Sequence, residues 1–216
     1  MARVGILGGT FNPPHIAHLV CAQEARAQLG LDRVVLMPVH TPPHKEVVAD
    51  PGAAVRLALC QAAAEGDPGL EVSALEVDRG GPSWTVETLR AIHARSPGDQ
   101  LTFIVGGDQA QGLPTWRAPA EILELSVLAV AEREGILRED VRAHLEDLAP
   151  EERLVFFDMP RIDISSSQLR RRVAAGRPIR HLVPERVAEL IAERGLYRTP
   201  TPATLTPMEA SPHDRS

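Results

Sequence analysis

The sequence predicts an α/β protein: a doubly wound, mostly parallel, Rossmann-like sheet with helices on both faces, formed by a single domain. Three observations predict it. Short apolar runs alternate with segments of helical periodicity along most of the 216 residues. The first run, Val4 to Leu7, is continuously apolar, as a strand covered on both faces would be. That run also ends in a glycine turn leading straight into a helical segment, and ligands of such sheets bind at the carboxyl ends of strands.

Strands are expected at Val4–Leu7, Val34–Pro38, Leu70–Leu75, Leu101–Val105, Leu125–Ala131 and Leu154–Phe157. Helices are expected at Ile16–Leu29, Ala53–Ala64, Thr85–Arg95, Pro119–Glu124 and Arg138–Leu148, with Ser166–Ala175 and Pro184–Arg194 closing the fold. This gives one domain over residues 1–198. From Thr199 to Ser216 the chain is rich in Pro, Thr and Ser without periodicity, and a disordered tail is expected there. There is no internal repeat.

Composition narrows the classes. A hydrophobic content of 44% and a charged content of 24% are those of an ordinary globular domain, long enough to bury a sizeable core. The net charge of −6 argues against a nucleic-acid binder, whose footprint would be basic. No apolar run approaches the ~20 residues of a membrane span, so no membrane partner is expected. Cys21 and Cys60 lie in apolar helical stretches, as buried thiols of a reducing compartment do. No signal peptide is recognised, and the expected location is cytoplasmic, as a monomer or small homo-oligomer.

The chemistry concentrates in Leu7–His18, L-G-G-T-F-N-P-P-H-I-A-H. Gly8 and Gly9 let a ligand approach the backbone, and exposed N–H groups of the turn and of a following helix start suit a phosphate. His15 and His18, three apart, share a helical face. A plain tight turn, a zinc pair or an interfacial histidine are the competing readings, and no third ligand stands nearby at zinc spacing. The G-x-G-x-x-G dehydrogenase fingerprint is absent.

Further along, His40-Thr41-Pro42-Pro43-His44-Lys45 carries the only lysine, a point charge suited to a triphosphate. Gly80-Gly81-Pro82-Ser83-Trp84-Thr85 is a turn opening a helix, with Ser83 or Thr85 as cap. Gly106-Gly107-Asp108 ends a strand on a carboxylate, and Leu113-Pro114-Thr115-Trp116 carries the second tryptophan. Aromatics make up only 3% of the chain, so two tryptophans beside expected strand ends suggest stacking on a flat heteroaromatic ring. Ile164-Ser165-Ser166-Ser167-Gln168-Leu169-Arg170 caps a basic helix. Hydroxyls, free N–H groups and Arg170 there form an anion site as well as a cap.

Taken together, G-G-T-F-N-P-P-H-x-x-H, P-P-H-K, G-P-S-W-T, G-G-D, L-P-T-W, I-S-S-S-x-x-R and the closing L-V-P-E-R-V…G-L-Y-R resemble the bacterial nicotinate mononucleotide adenylyltransferases of the nucleotidyltransferase superfamily, over residues 3–198 and in that family's order. Three positions depart from the pattern: Asn12 stands where Asp is usual, Trp84 where Tyr is common, and Ser167 where Thr is usual. The resemblance implies adenylyl transfer from ATP to nicotinate mononucleotide, giving deamido-NAD and pyrophosphate, with Mg²⁺ carried on the ATP and no protein metal ligand named. It implies His15, His18, Lys45 and Arg170 as the catalytic set, and Gly8, Gly9, Thr10, Phe11, Asp108, Ser165, Ser166 and Ser167 around ATP. Trp84, Thr85 and Trp116 are implied around the mononucleotide. A pantetheine-phosphate adenylyltransferase is the nearest rival. A zinc hydrolase and a non-catalytic nucleotide-binding module are the others.

Overall fold

The computed structural model describes residues 1–43, 47–132 and 138–198. His44, Lys45 and the tail from Thr199 lie outside the described residues. The elements run β1 (Arg3–Gly9), α1 (Ile16–Leu29), β2 (Arg33–Pro38), α2 (Ala53–Ala64), β3 (Leu70–Val72), α3 (Leu75–Arg79), α4 (Thr85–Arg95) and β4 (Gln100–Gly106). They continue through α5 (Gly107–Gly112), a 3-10 turn (Leu113–Thr115), α6 (Pro119–Leu125), β5 (Val127–Glu132), α7 (Arg138–Leu145), a second 3-10 turn (Glu151–Arg153), β6 (Leu154–Asp158), α8 (Ser166–Ala174) and α9 (Glu185–Glu193).

All six strands form one parallel sheet in the order β3-β2-β1-β4-β5-β6. The chain therefore winds outward from β1 in one direction, then returns and winds the other way from β4. Alternation in β1 splits the core in two. Val4 and Ile6 pack on one face with Phe103 and Val105, while Leu7 packs on the other with Leu36 and Ile104. Each such fully buried side chain contributes roughly 1.5–3 kcal/mol of hydrophobic stabilisation. A third apolar cluster joins Leu59 of α2 to Leu169 of α8 and to Val187 and Ile191 of α9, which seats the late helices on the first half of the chain.

Helix α1 matches its expected bounds and ends for a visible reason. Gly30 takes a left-handed conformation (φ 61°) and its N–H caps the Arg26 carbonyl.

Most strands and the closing helices differ from expectation by one or two residues at an end, and the differences with a visible cause are these. The run Leu70–Leu75 is strand only to Val72, because the Ser73 hydroxyl accepts the Leu75 N–H (3.2 Å) and turns the chain into α3. Leu125 closes α6 instead of opening β5. Ser126 then returns both its N–H and its hydroxyl to the Ile122 carbonyl before the strand starts at Val127. Residues after Leu145 leave α7, with the N–H groups of Leu148 and Ala149 both bonded to the Leu145 carbonyl. Beyond the Gly106-Gly107-Asp108 strand end, the chain forms a helix not among the expected elements, α5 (Gly107–Gly112). Its two glycines weaken intrinsic propensity, and packing of buried Ala110 supplies what propensity does not. No described helix is long and apolar enough to cross a membrane.

Candidate active site

Pairing between β1 and β4 ends at Leu7↔Ile104, although the strands run on to Gly9 and Gly106. The winding direction reverses between these two strands, so their parted carboxyl ends open a crevice at the topological switch point. Two cavities of about 380 and 390 Å³ meet there, sharing Gly8, Gly9, Thr10, Asp108 and Gln109 along their walls.

The second cavity is polar, with Asn12, His18, Ser166, Ser167 and Arg170 on its wall. Gly9 is required by Phe11: a Cβ at Gly9 would sit 3.0 Å from the Phe11 ring, which is buried and held at φ 48°. Phe11 meets the His18 ring edge-on at 5.0 Å. The two histidines are stacked, centroids 3.7 Å apart and rings inclined by 22°. His15 is the buried residue ahead of α1, beneath His18, and only His18 lines the cavity. The His15 N–H donates to His18 Nδ1 (3.1 Å), which makes Nδ1 the acceptor nitrogen and leaves Nε2–H as the donor of a neutral ring.

Helix α8 brings its start to this motif. The Ser166 hydroxyl donates to the Pro13 carbonyl (2.8 Å), Arg170 Nη1 to the Asn12 carbonyl (2.7 Å) and Arg170 Nη2 to the Ser167 hydroxyl (3.0 Å). Ser165 accepts the Gln168 N–H (3.2 Å) and is the helix cap; it does not line either cavity. Asp108, exposed in the first turn of α5, stands on the shared wall between the cavities.

Asn12 is buried at the junction of four segments. Its amide donates to the Val48 and Ala49 carbonyls (3.3 and 3.4 Å), its side-chain oxygen accepts from the Tyr197 hydroxyl (2.7 Å), and its carbonyl takes Arg170. An aspartate could make the Tyr197 bond but would offer two carbonyls no donor. Burial pushes the Tyr197 phenol well above its ordinary range, so it stays a donor.

Sequence reasoning missed a second organiser. Arg56, fully buried in α2, donates to the carbonyls of Thr10 (3.2 Å), Val39 (2.6 Å) and His40 (2.8 Å) and pairs with Asp50 (2.9 Å). It clamps the loop after β1 to both arms of the connection that follows β2. The signal was present, since Arg56 is the one charged residue within A-A-V-R-L-A-L-C-Q-A-A-A.

The first cavity is apolar and aromatic. Ile6, Met37, Phe103 and Ile122 line it together with both tryptophans. Trp84 precedes α4, with Thr85 as that helix's first residue, and Trp116 follows the Leu113–Thr115 turn, its ring edge-on to Phe103 at 6.0 Å. Arg117 lies 5.6 Å over the Trp84 ring, and its charge is paired with Glu87 (2.6 Å).

A small polar network, also absent from the sequence reading, supports this wall. Ser83 accepts the His40 N–H (2.9 Å), and the Thr88 hydroxyl accepts from Arg79 (3.1 Å) while donating to Glu76 Oε1 (2.5 Å). Burial raises the Glu76 carboxyl above its ordinary value, against the opposing pull of Thr88, Ser83 and Arg79.

The site thus gathers Gly8, Gly9, Thr10, Phe11, His18, Asp108, Ser166, Ser167 and Arg170 with Trp84, Thr85 and Trp116; Lys45 lies outside the described residues. Among the described residues no group of three or more His, Cys, Asp or Glu is placed to hold a metal ion.

Comparison with known proteins shows the family and the fold. Residues 6–172 match the cytidylyltransferase-like family. A probable nicotinate-nucleotide adenylyltransferase from Thermomicrobium roseum is 41% identical over 199 residues, covering 92% of this chain and 93% of that relative. One from Roseiflexus sp. is 43% identical over 201 residues, covering 91% and 98%. The solved structure of Plasmodium falciparum nicotinic acid mononucleotide adenylyltransferase complexed with NaAD shares the fold, with a TM-score of 0.74 at 15% identity over 91% of this chain and 98% of that one. The chain belongs to the cytidylyltransferase-like family and, within it, to the nicotinate-nucleotide adenylyltransferases.

Proposed function

We propose that this chain transfers the adenylyl group of ATP to nicotinate mononucleotide, releasing pyrophosphate and forming deamido-NAD. The observation that carries the reading is the pair of cavities of opposite character opening into each other where β1 and β4 part. One offers imidazole, hydroxyl and guanidinium donors for a triphosphate. The other offers two tryptophans and an apolar floor for a pyridine ring.

A phosphate oxygen of the acceptor attacks the α-phosphorus of ATP in line. The new P–O bond forms as the bond to the bridging oxygen breaks, and that electron pair leaves with pyrophosphate. Such a reaction needs positioning and charge stabilisation rather than a protein nucleophile. His18 Nε2–H is a neutral donor fixed in orientation by the His15 backbone, and it serves charge developing on the α-phosphate. Arg170, Ser166 and Ser167 hold the outgoing phosphates, and Lys45, outside the described residues, is the cation that the P-P-H-K motif offers the triphosphate. Asp108, on the shared wall, takes a ribose hydroxyl. His15 acts from beneath, by stacking.

The donors around the polar cavity are suited to phosphate oxygens rather than to a bare cation. Mg²⁺ therefore comes with the triphosphate, where it neutralises charge, and no residue is assigned to it. Cys21 and Cys60, both buried and neither in a disulfide, suit a cytoplasmic setting.

Pyrophosphate release from ATP tests the reading, with nicotinate mononucleotide, nicotinamide mononucleotide and 4′-phosphopantetheine supplied separately. The first should be the fastest by roughly a hundredfold, the scale set by two hydrogen bonds to a charged group at ~1.5–3 kcal/mol each. Faster release with 4′-phosphopantetheine would overturn the acceptor assignment.

A further inference from the structure

One carboxyl group in the aromatic cavity has no use in the reaction described. Glu76, 5% exposed, stands on the cavity wall beside Ser83 and Thr88. Its Oε1 accepts the Thr88 hydroxyl, while its Oε2 is buried and makes no well-formed hydrogen bond among the described residues, with the Ser83 hydroxyl as its nearest polar neighbour. An ionised carboxylate buried this way is costly, and a proton on Oε2 removes the buried charge. Burial already raises the group above its ordinary value.

We propose that Glu76 is a specificity-determining residue of the aromatic cavity, whose Oε2 takes up a proton when an acceptor carrying a second carboxylate enters beside it. This rests on the proposed seating of the pyridine ring between Trp84 and Trp116. The chemistry follows from like charges sharing a poorly solvated site: two carboxylates cannot both stay ionised without cost, so the bound acid raises the affinity of Glu76 for a proton. An amide in the same place brings no charge and makes no such demand. The acid therefore binds best where Glu76 is protonated, and its advantage over the amide declines as pH rises.

The other charged and titratable groups around Glu76 are Arg79 on its own helix, Asp108 on α5, the Arg117–Glu87 pair and His40 ahead of the Ser83 turn. The acceptor's own phosphate titrates near 6, but it is common to both acceptors and cancels in their ratio.

The test is the ratio of kcat/KM for nicotinate over nicotinamide mononucleotide from pH 6 to 9, in the unmodified enzyme and in Glu76→Gln. Glutamine keeps an oxygen for Thr88 and presents an N–H₂ donor where the protonated Oε2 would stand. In the unmodified enzyme the ratio should fall as pH rises through the raised Glu76 value, by about tenfold for one pKa unit of coupling. In Glu76→Gln it should be flat and at least as high as the unmodified value at pH 6, with the KM for ATP unchanged. Parallel pH profiles in the two proteins would overturn the proposal. Glu76→Asp, which keeps the charge and shortens the reach, should retain the slope, and a flat profile there would overturn it too. Trp116→Ala separates the two levels of the argument. If it leaves the KM of both acceptors unchanged, the seating of the pyridine fails; if it raises both while Glu76→Gln leaves the ratio's slope intact, only the role of Glu76 fails.

Discussion

The two cavities were built by different rules. The polar one comes from short contiguous stretches: residues 8–18 supply a loop and a helix start, and residues 165–170 a cap and an arginine one turn in. Backbone N–H groups and helix starts act at fixed short spacings, so such a site is written locally. The aromatic cavity is assembled from residues scattered along the chain, from Ile6 on β1 to Ile122 on α6. Its tryptophans could be suspected from their rarity, but the Glu76–Thr88–Arg79 network that backs the wall exists only once α3 is packed against α4. Phosphate recognition is legible in a sequence because it is local. Ring recognition is legible only through the rare residues that do it.

The same contrast separates what was read correctly from what was not. Helices α1, α2 and α4 were placed residue for residue, since each has a full apolar face and a defined stop. Helix α3 is not among the expected elements, and the strand expected at Leu70–Leu75 runs past Val72 into its first residue, because that apolar run has no helical period of its own and a serine side chain decides where it turns. Arg56 and Tyr197 went unnoticed as site residues because they act through backbone carbonyls and a buried amide far away in sequence. Asn12 was visible as a departure from the family pattern, and its meaning came only with Val48, Ala49 and Tyr197 around it.

Removing chemistry from the polar half should have the largest effect. His18→Ala should lower kcat on the order of a hundredfold or more, with a smaller change in either KM, if its Nε2–H serves charge that develops in the transition state. Steady-state kinetics with a melting curve to verify folding would decide it, and near-normal turnover would remove His18 from the chemistry.

Asn12→Asp should be felt in stability. It exchanges two donated bonds for a buried carboxylate facing the Val48 and Ala49 carbonyls, at a cost of about 1–3 kcal/mol. Thermal melts should shift down by several degrees at neutral pH. The loss should shrink as pH falls and the new carboxyl is protonated.

On the aromatic side, Thr85→Ala should narrow the gap between acid and amide acceptors by up to about tenfold, the loss of one hydrogen bond to a charged group. An unaltered ratio of kcat/KM would move the carboxylate away from the start of α4.

The smallest effect concerns stability against pH at Glu76. Its carboxyl is raised in the folded state, so the stability it contributes is complete below the ordinary glutamate value of about 4.3 and is lost as pH rises through the raised value. Glu76→Gln suffers no such loss. Its melting temperature should therefore gain on that of the unmodified protein as pH increases from 4 to 8, by a degree or two for each ~0.5 kcal/mol.

The division of labour between the cavities is tested most directly by measuring both KM values in Arg170→Ala and Trp116→Ala side by side. The account predicts a crossed pattern. Arg170→Ala should raise the KM for ATP by about tenfold or more and leave the acceptor's nearly unchanged. Trp116→Ala should raise the KM for both mononucleotide acceptors by about tenfold, as lost stacking on a heteroaromatic ring does, while sparing ATP. The reverse pattern, or equal rises for both substrates in both variants, would contradict the assignment of one cavity to each substrate.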